Sequence, residues 1–187
     1  TYSARLSNGT EVVASISGVS SRGNPRLFYP DFDSPETGNG VVHDGDGDAS
    51  QSVFVSVRQG GLTVEAACIG RDKHDPSPKY GSVFGMPRRE YDGRGLLEGQ
   101  YVWPIGEDLQ AMARLYYDRY EYWANSYYDV AEAGFPADIV VNRDESLSES
   151  VGGEAQLKWT APAGQNITIG AEYRFDFRGD MRNFDVS

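Results

Sequence analysis

Residues 166–178 read Asn166-Ile167-Thr168-Ile169-Gly170-Ala171-Glu172-Tyr173-Arg174-Phe175-Asp176-Phe177-Arg178. Ile167, Ile169, Ala171, Tyr173, Phe175 and Phe177 alternate without a break with polar residues or glycine. Side chains change face with a period of two along a strand, whereas a helix brings a face back every 3.6 residues. The segment is therefore read as a strand with one face toward an apolar medium and the other toward water. The chain just before it repeats the pattern, with Val151, Gly153, Ala155, Leu157 and Trp159 interleaved with Gly152, Glu154, Gln156, Lys158 and Thr160. Leu109, Ala111, Ala113, Leu115 and Tyr117 do the same against Gln110, Met112, Arg114, Tyr116 and Asp118. Weaker alternation at 2–6, 12–19, 53–58, 62–71 and 95–103 brings the expected strands to eight.

The connections carry as much information as the strands. Asn8-Gly9 predicts a two-residue hairpin, because both positions tolerate positive φ. Gln59-Gly60-Gly61, residues 104–108 and Ala161-Pro162-Ala163-Gly164 are also tight turns. The intervening connections, 20–50, 73–92 and 123–150, are long. Loops beyond about 12–15 residues are uncommon in compact domains, so their strict alternation with tight turns is informative. One short rim, one long-looped rim, and strands apolar on one side describe an outer-membrane β-barrel. Tyr101, Trp103 and Trp159 stand near the tight turns, and Tyr117, Tyr173, Phe175 and Phe177 toward the long loops. That is the aromatic placement membrane interfaces favour. The expected fold is all-β: an antiparallel, up-and-down transmembrane β-barrel segment of about eight strands, forming one unit over residues 1–187. With periplasmic tight turns, both ends would lie on the external side, which predicts an internal slice of a larger barrel with two unpaired edges.

Composition narrows the function. Among 187 residues, 17 Lys+Arg face 28 Asp+Glu, a formal charge of −11. A nucleic-acid partner is not expected, since phosphate binding needs a basic face. The lone Cys68 excludes an internal disulfide and multi-cysteine metal sites. No apolar run approaches the roughly 18 residues of a membrane helix, but a membrane strand needs only about 9–11. No Gly-x-Ser-x-Gly elbow occurs, and His74 beside Asp72 and Asp75 in a loop is no triad. No enzyme activity is expected.

Several phrases, taken in order, resemble TonB-dependent outer-membrane receptors. They are Leu27-Phe28-Tyr29-Pro30-Asp31-Phe32-Asp33, Gly38-Asn39-Gly40, Asp44-Gly45-Asp46-Gly47-Asp48, Tyr80-Gly81-Ser82-Val83-Phe84 with Pro87-Arg88, Ala113-Arg114-Leu115-Tyr116-Tyr117-Asp118-Arg119-Tyr120, and Gly170-Ala171-Glu172-Tyr173-Arg174 with Arg182-Asn183-Phe184. The resemblance implies a larger barrel in the bacterial outer membrane, with an N-terminal plug powered through TonB. This chain would supply part of the wall and outer loops. Its partners would be membrane lipid, the plug, the remaining strands, the TonB system through the plug, and a scarce small ligand such as an iron–siderophore or corrinoid.

The residues themselves leave two other readings open: a complete small barrel serving as an adhesin or structural protein, and a soluble ligand-binding β-sandwich. Candidate ligand contacts are the loop aromatics Phe28, Tyr29, Phe32, Tyr80, Phe84, Trp123, Tyr127 and Tyr128. Glu65, Arg114, Asp118, Glu154, Lys158, Glu172, Arg174 and Asp176 are expected to face the lumen, where opposite charges pair across strands. No cofactor is expected, with calcium at Asp44, Asp46 and Asp48 as the metal candidate, although position twelve from Asp44 is Val55 rather than an EF-hand Glu.

Overall fold

The computed structural model describes residues 1–162 and 164–186. Ala163, inside the expected last turn, and Ser187 lie outside the described residues. The strands are β1 (Tyr2–Arg5), β2 (Glu11–Ser21), β3 (Arg26–Phe28), β4 (Val41–His43), β5 (Asp48–Gln59), β6 (Leu62–Asp75), β7 (Arg88–Pro104), β8 (Leu109–Asp129), β9 (Ile139–Ala161) and β10 (Gln165–Val186). Eight of them form one antiparallel sheet in the order β1-β2-β5-β6-β7-β8-β9-β10. Apart from the β3–β4 excursion, each strand pairs with its neighbour in the chain. Among the described residues β1 and β10 do not pair, so the sheet is open, with these two strands as its edges.

The excursion between β2 and β5 holds the β3–β4 hairpin and two short 3-10 turns, Pro30–Phe32 and Pro35–Thr37. A third, Lys79–Gly81, lies between β6 and β7. The hairpin was not legible in the sequence, because three-residue strands are too short to show alternation.

Two expectations change. The first turn is not a two-residue hairpin: Leu6 N donates to Thr10 O at 2.8 Å and Gly9 N to Leu6 O at 2.9 Å, enclosing residues 7–9. Gly9 sits at φ +83°, whereas Asn8 keeps a negative φ and accepts a hydrogen bond from Thr10 N on its side chain. This is the three-residue loop closed by a left-handed glycine. The long connections are also shorter than expected, spanning 76–87 and 130–138, because β6, β7, β8 and β9 continue outward. Hydropathic alternation ends where both faces become polar, but the backbone ladder does not depend on side-chain polarity and runs on.

Among the described residues no second layer covers the large sheet. The buried apolar residues among those described are Val42, Ala111 and Ala124, too few and too small for a dry centre. The chain exposes 12577 Å², against about 8,900 Å² for a compact monomer of this size. A sheet of this width with a bare apolar face needs an apolar environment or a partner.

Candidate functional site

Cross-strand partners share a face, so the register divides the large sheet into two chemically distinct sides. On one side, Leu109–Trp159–Ile167, Ala111–Leu157–Ile169, Ala113–Ala155–Ala171 and Tyr117–Val151–Phe175 form successive rows. Leu115, Ile169 and Tyr173 are 73%, 71% and 74% exposed, so these side chains do not pack on one another in an interior. The belt continues through Leu97, Val64, Val55 and Ala14 on β7, β6, β5 and β2.

The belt runs obliquely to the hydrogen-bonding rows. Cys68, Val53 and Ile16, still apolar, share a row with Gly95, Arg119, Glu149 and Arg178. Toward β2 the apolar zone is thus displaced to a higher row than toward β10. Aromatic residues border it: Trp103 and Tyr101, with ring centroids 5.7 Å apart, on the tight-turn side, and Tyr117 and Phe177, 6.4 Å apart, on the other.

The opposite side is polar. Glu65, Arg114, Asp118, Glu154, Lys158, Glu172, Arg174 and Asp176 all fall on it by register. Arg94 pairs with Asp118 at 2.7 Å, and Arg114 lies 3.5 Å from Glu154 and 3.7 Å from Glu172. Tyr116 Oη donates to Glu172 at 2.8 Å, and Arg174 Nε to Asp176 at 2.9 Å. Farther along, Arg88 donates to Tyr122 Oη at 2.6 Å, and Tyr120 Oη donates to Asp92 at 2.7 Å. The Arg88, Tyr120 and Tyr122 group escaped sequence reasoning because Arg88 fell in a presumed loop and the alternation read along β8 ended at Asp118.

Above the belt the apolar side changes character at a bulge between Asp176 and Arg178, where β10 slips against β9. After the slip Arg178 pairs with Glu149, Asp180 with Leu147 and Arg182 with Glu145. Glu149 collects Tyr117 Oη at 2.5 Å, Arg178 at 3.2 Å and Arg119 at 3.7 Å. Beside it Trp123 lies between two guanidinium groups, Arg143 at 4.8 Å and Arg89 at 5.4 Å, and stacks on Tyr91 at 5.9 Å.

The outer segments form one packed cluster. Phe32 and Phe84 stack at 4.4 Å, Tyr29 meets Phe84 edge-on at 5.7 Å, and Val83 N donates to Tyr127 O at 2.8 Å. Tyr29, Phe32 and Phe84 therefore join two loops, while Phe28 and Tyr80 are exposed. Trp123, Tyr127 and Tyr128 were expected in a loop and are instead in β8; Trp123 and Tyr127 share the belt side and Tyr128 the polar side. The structure does not gather the eight aromatics into one site.

Nor do Asp44, Asp46 and Asp48 converge, and among the described residues no three metal-binding side chains surround a common point. Asp48 pairs with Arg71 at 2.5 Å. Asp46 pairs with Lys73 at 2.6 Å, and this ammonium, followed by the Asn24 amide, holds the Asp46 carboxyl below its ordinary value. Two of the three carboxylates are thus paired with cations of the chain itself.

Asp75, at the outer end of β6, is buried and would be pushed up by that burial. Hydrogen bonds from Lys79 and from the Ser77 hydroxyl and amide outweigh it and hold the carboxyl low. Its folded value being the lower one, the stabilisation is complete above the unfolded value of about 3.9 and disappears as pH falls through the folded value. Amide exchange in 76–87, corrected for intrinsic rates, is therefore expected to accelerate below that window. Asp75→Asn should give the same acceleration at pH 7, and an unchanged pattern in the variant would refute the anchoring role.

The fold and this site describe a two-sided antiparallel sheet with an unshielded apolar belt. Comparison with protein-family models, curated proteins and solved structures finds no match for this chain.

Proposed function

We propose that this chain is part of the wall and outer loops of a TonB-dependent receptor in the bacterial outer membrane. It would take part in uptake of a scarce ligand such as an iron chelate or a corrinoid. The oblique, aromatic-bordered belt carries the membrane part of this reading. Barrel strands tilt by roughly 35–45°, so a layer level with the bilayer must cut across the hydrogen-bonding rows. Along β8 and β9 the belt spans residues 109–117 and 151–159, close to the 9–11 residues a tilted strand needs to cross hydrocarbon. The polar side, with its cross-strand ion pairs, suits a hydrated lumen or a plug. The ordered resemblance supplies the receptor class, and the packed outer cluster offers Phe28 and Tyr80 as exposed aromatic contacts.

The three Trp make the membrane part measurable. In phosphatidylcholine vesicles brominated near the headgroup end of the acyl chain, single-Trp variants keeping Trp103 or Trp159 should be quenched strongly. The variant keeping Trp123, which lies beyond the belt, should be quenched weakly. Equal, weak quenching of all three together with a folded monomer in plain buffer would favour a soluble ligand-binding sheet. For the uptake part, cells carrying the gene that encodes this chain are expected to accumulate a labelled iron chelate or corrinoid only when TonB is active. Accumulation of neither, or the same accumulation without TonB, would overturn it.

A further inference from the structure

The polar side is interrupted at one place. Phe54, Ala67 and Leu96 stand in one cross-strand row on β5, β6 and β7, and Ile69 follows in the next row. All four share the side of Glu65 and Asp118. Alternation fails there on three adjacent strands at once, in Val53-Phe54-Val55, Ala66-Ala67-Cys68-Ile69 and Leu96-Leu97, so the sheet is apolar on both faces at this level. The four side chains line a cavity of about 310 Å³, with the Arg94–Asp118 pair at its edge toward β8 and the long loops. Ile69 is 51% exposed, so the cavity opens onto the polar side. Small-molecule sites run from about 300 to 1,000 Å³ and are mostly apolar, with a few placed polar groups.

The charge around this cavity is one-sided. Asp118 matches Arg94 at 2.7 Å, so that edge is internally neutral. In the next row on the tight-turn side Glu65 and Glu98 stand directly opposite each other, and among the described residues neither has an ion-pair partner. Like charges directly opposite on paired strands are destabilising. A cation between the two would remove the repulsion, about 7 Å along the strands from Ala67 and Leu96. The outer segments are acidic as well: 22–47 carries five acids against two arginines, and 130–138 carries two acids and no Lys or Arg. Such a field draws cations toward the sheet and repels anions.

We propose that this cavity is a subsite for an amphipathic cation, with a compact apolar group seated on Phe54, Ile69 and Leu96 and an ammonium held between Glu65 and Glu98. As a substrate subsite it rests on the uptake reading, and it names the class of ligand that the polar side would pass. Arg94 turns the ammonium away from the opposite edge, which fixes the orientation.

The test uses the chain refolded into phosphatidylcholine nanodiscs and equilibrium dialysis of 2-naphthylmethylammonium, 2-naphthylmethanol and 2-naphthoate, with empty nanodiscs subtracted. The ammonium should bind saturably and about tenfold more tightly than the alcohol, and naphthoate more weakly than either. Glu65→Gln combined with Glu98→Gln should bring the ammonium down about tenfold, to the level of the alcohol, and leave the alcohol unchanged. These substitutions remove a repulsion, so the variant should be at least as stable as wild type, which separates lost binding from lost structure. Phe54→Ala should weaken ammonium and alcohol alike, about tenfold. Glu107→Gln, in the turn before β8, should change nothing. Equal binding of ammonium and alcohol by wild type, or a preference that survives the double substitution, would overturn the cation site. No saturable binding of any probe would overturn the cavity as a ligand site and leave it to an apolar side chain of another polypeptide segment; TonB-dependent accumulation would then keep the uptake reading standing. Glutamate-dependent binding without TonB-dependent accumulation in cells would overturn the uptake reading, and with it the cavity's place on a transport route.

Discussion

Ile169→Arg is expected to destabilise the protein in a bilayer by about 2–4 kcal/mol, the penalty for an arginine on the lipid face of a barrel near the midplane. Ile169 lies on β10 in the row of Ala111 and Leu157, flanked along the strand by Ile167 and Ala171. Its neighbour Thr168 points to the other side, in register with Lys158. Thr168→Arg should therefore change stability by less than about 0.5 kcal/mol, as surface substitutions usually do. The contrast in magnitude makes the pair informative. If the belt faced water, Ile169 at 71% exposure would accept arginine with little loss and a gain in solubility. Urea titration of both variants refolded into vesicles measures the difference. Equal stabilities would remove the physical basis of the membrane assignment.

Gly61→Ala should cost about 3 kcal/mol, at the upper end of what overpacking a close contact does. The Gly60-Gly61 turn joins β5 to β6 and lies against β7, with Val102 N donating to Gly61 O at 2.9 Å. A Cβ on Gly61 would stand 2.0 Å from Val102 O. That atom belongs to the backbone and cannot rotate away, so relief requires the hairpin to withdraw from β7 and lose the bond. Gly60→Ala provides the comparison. Gly60 sits at φ +57° with open space around it, so only the left-handed conformation is penalised, by roughly 1–2 kcal/mol. Denaturation midpoints for the two variants should separate in that order. A Gly61 variant as stable as wild type would mean that the turn is not held against β7.

Much of the architecture was readable before any coordinates. Ile167 to Phe177 announced a two-sided strand through alternation alone, and Asn8-Gly9, Gly60-Gly61 and residues 104–108 marked turns through local backbone chemistry. The charged residues assigned to one face, from Glu65 to Asp176, share that face because a period of two propagates without error along a regular strand. The aromatic site was not readable. Phe32 and Phe84 are far apart in the chain and meet only through the docking of two irregular segments, and Trp123 looked like a loop residue because alternation fades before the strand does. The acidic run from Asp44 to Asp48 resembled a ligand set until Lys73 and Arg71, brought alongside by the β5–β6 ladder, took up two of its carboxylates.

By itself the sequence determined the strand class, the order of turns and excursions, and which residues share each ribbon face, since all of these follow from local φ, ψ preferences and side-chain alternation. Tertiary structure alone decided how far the strands extend and where the arginines beyond Phe177 point. Simple alternation would send Arg178 and Arg182 to the polar side with Asp176. The bulge shifts β10 by one residue against β9, and because side chains change face at every residue, that single step carries the arginines to the surface continuous with the belt. A bulge forms only against a paired strand, so no property of residues 165–186 read in isolation reveals it.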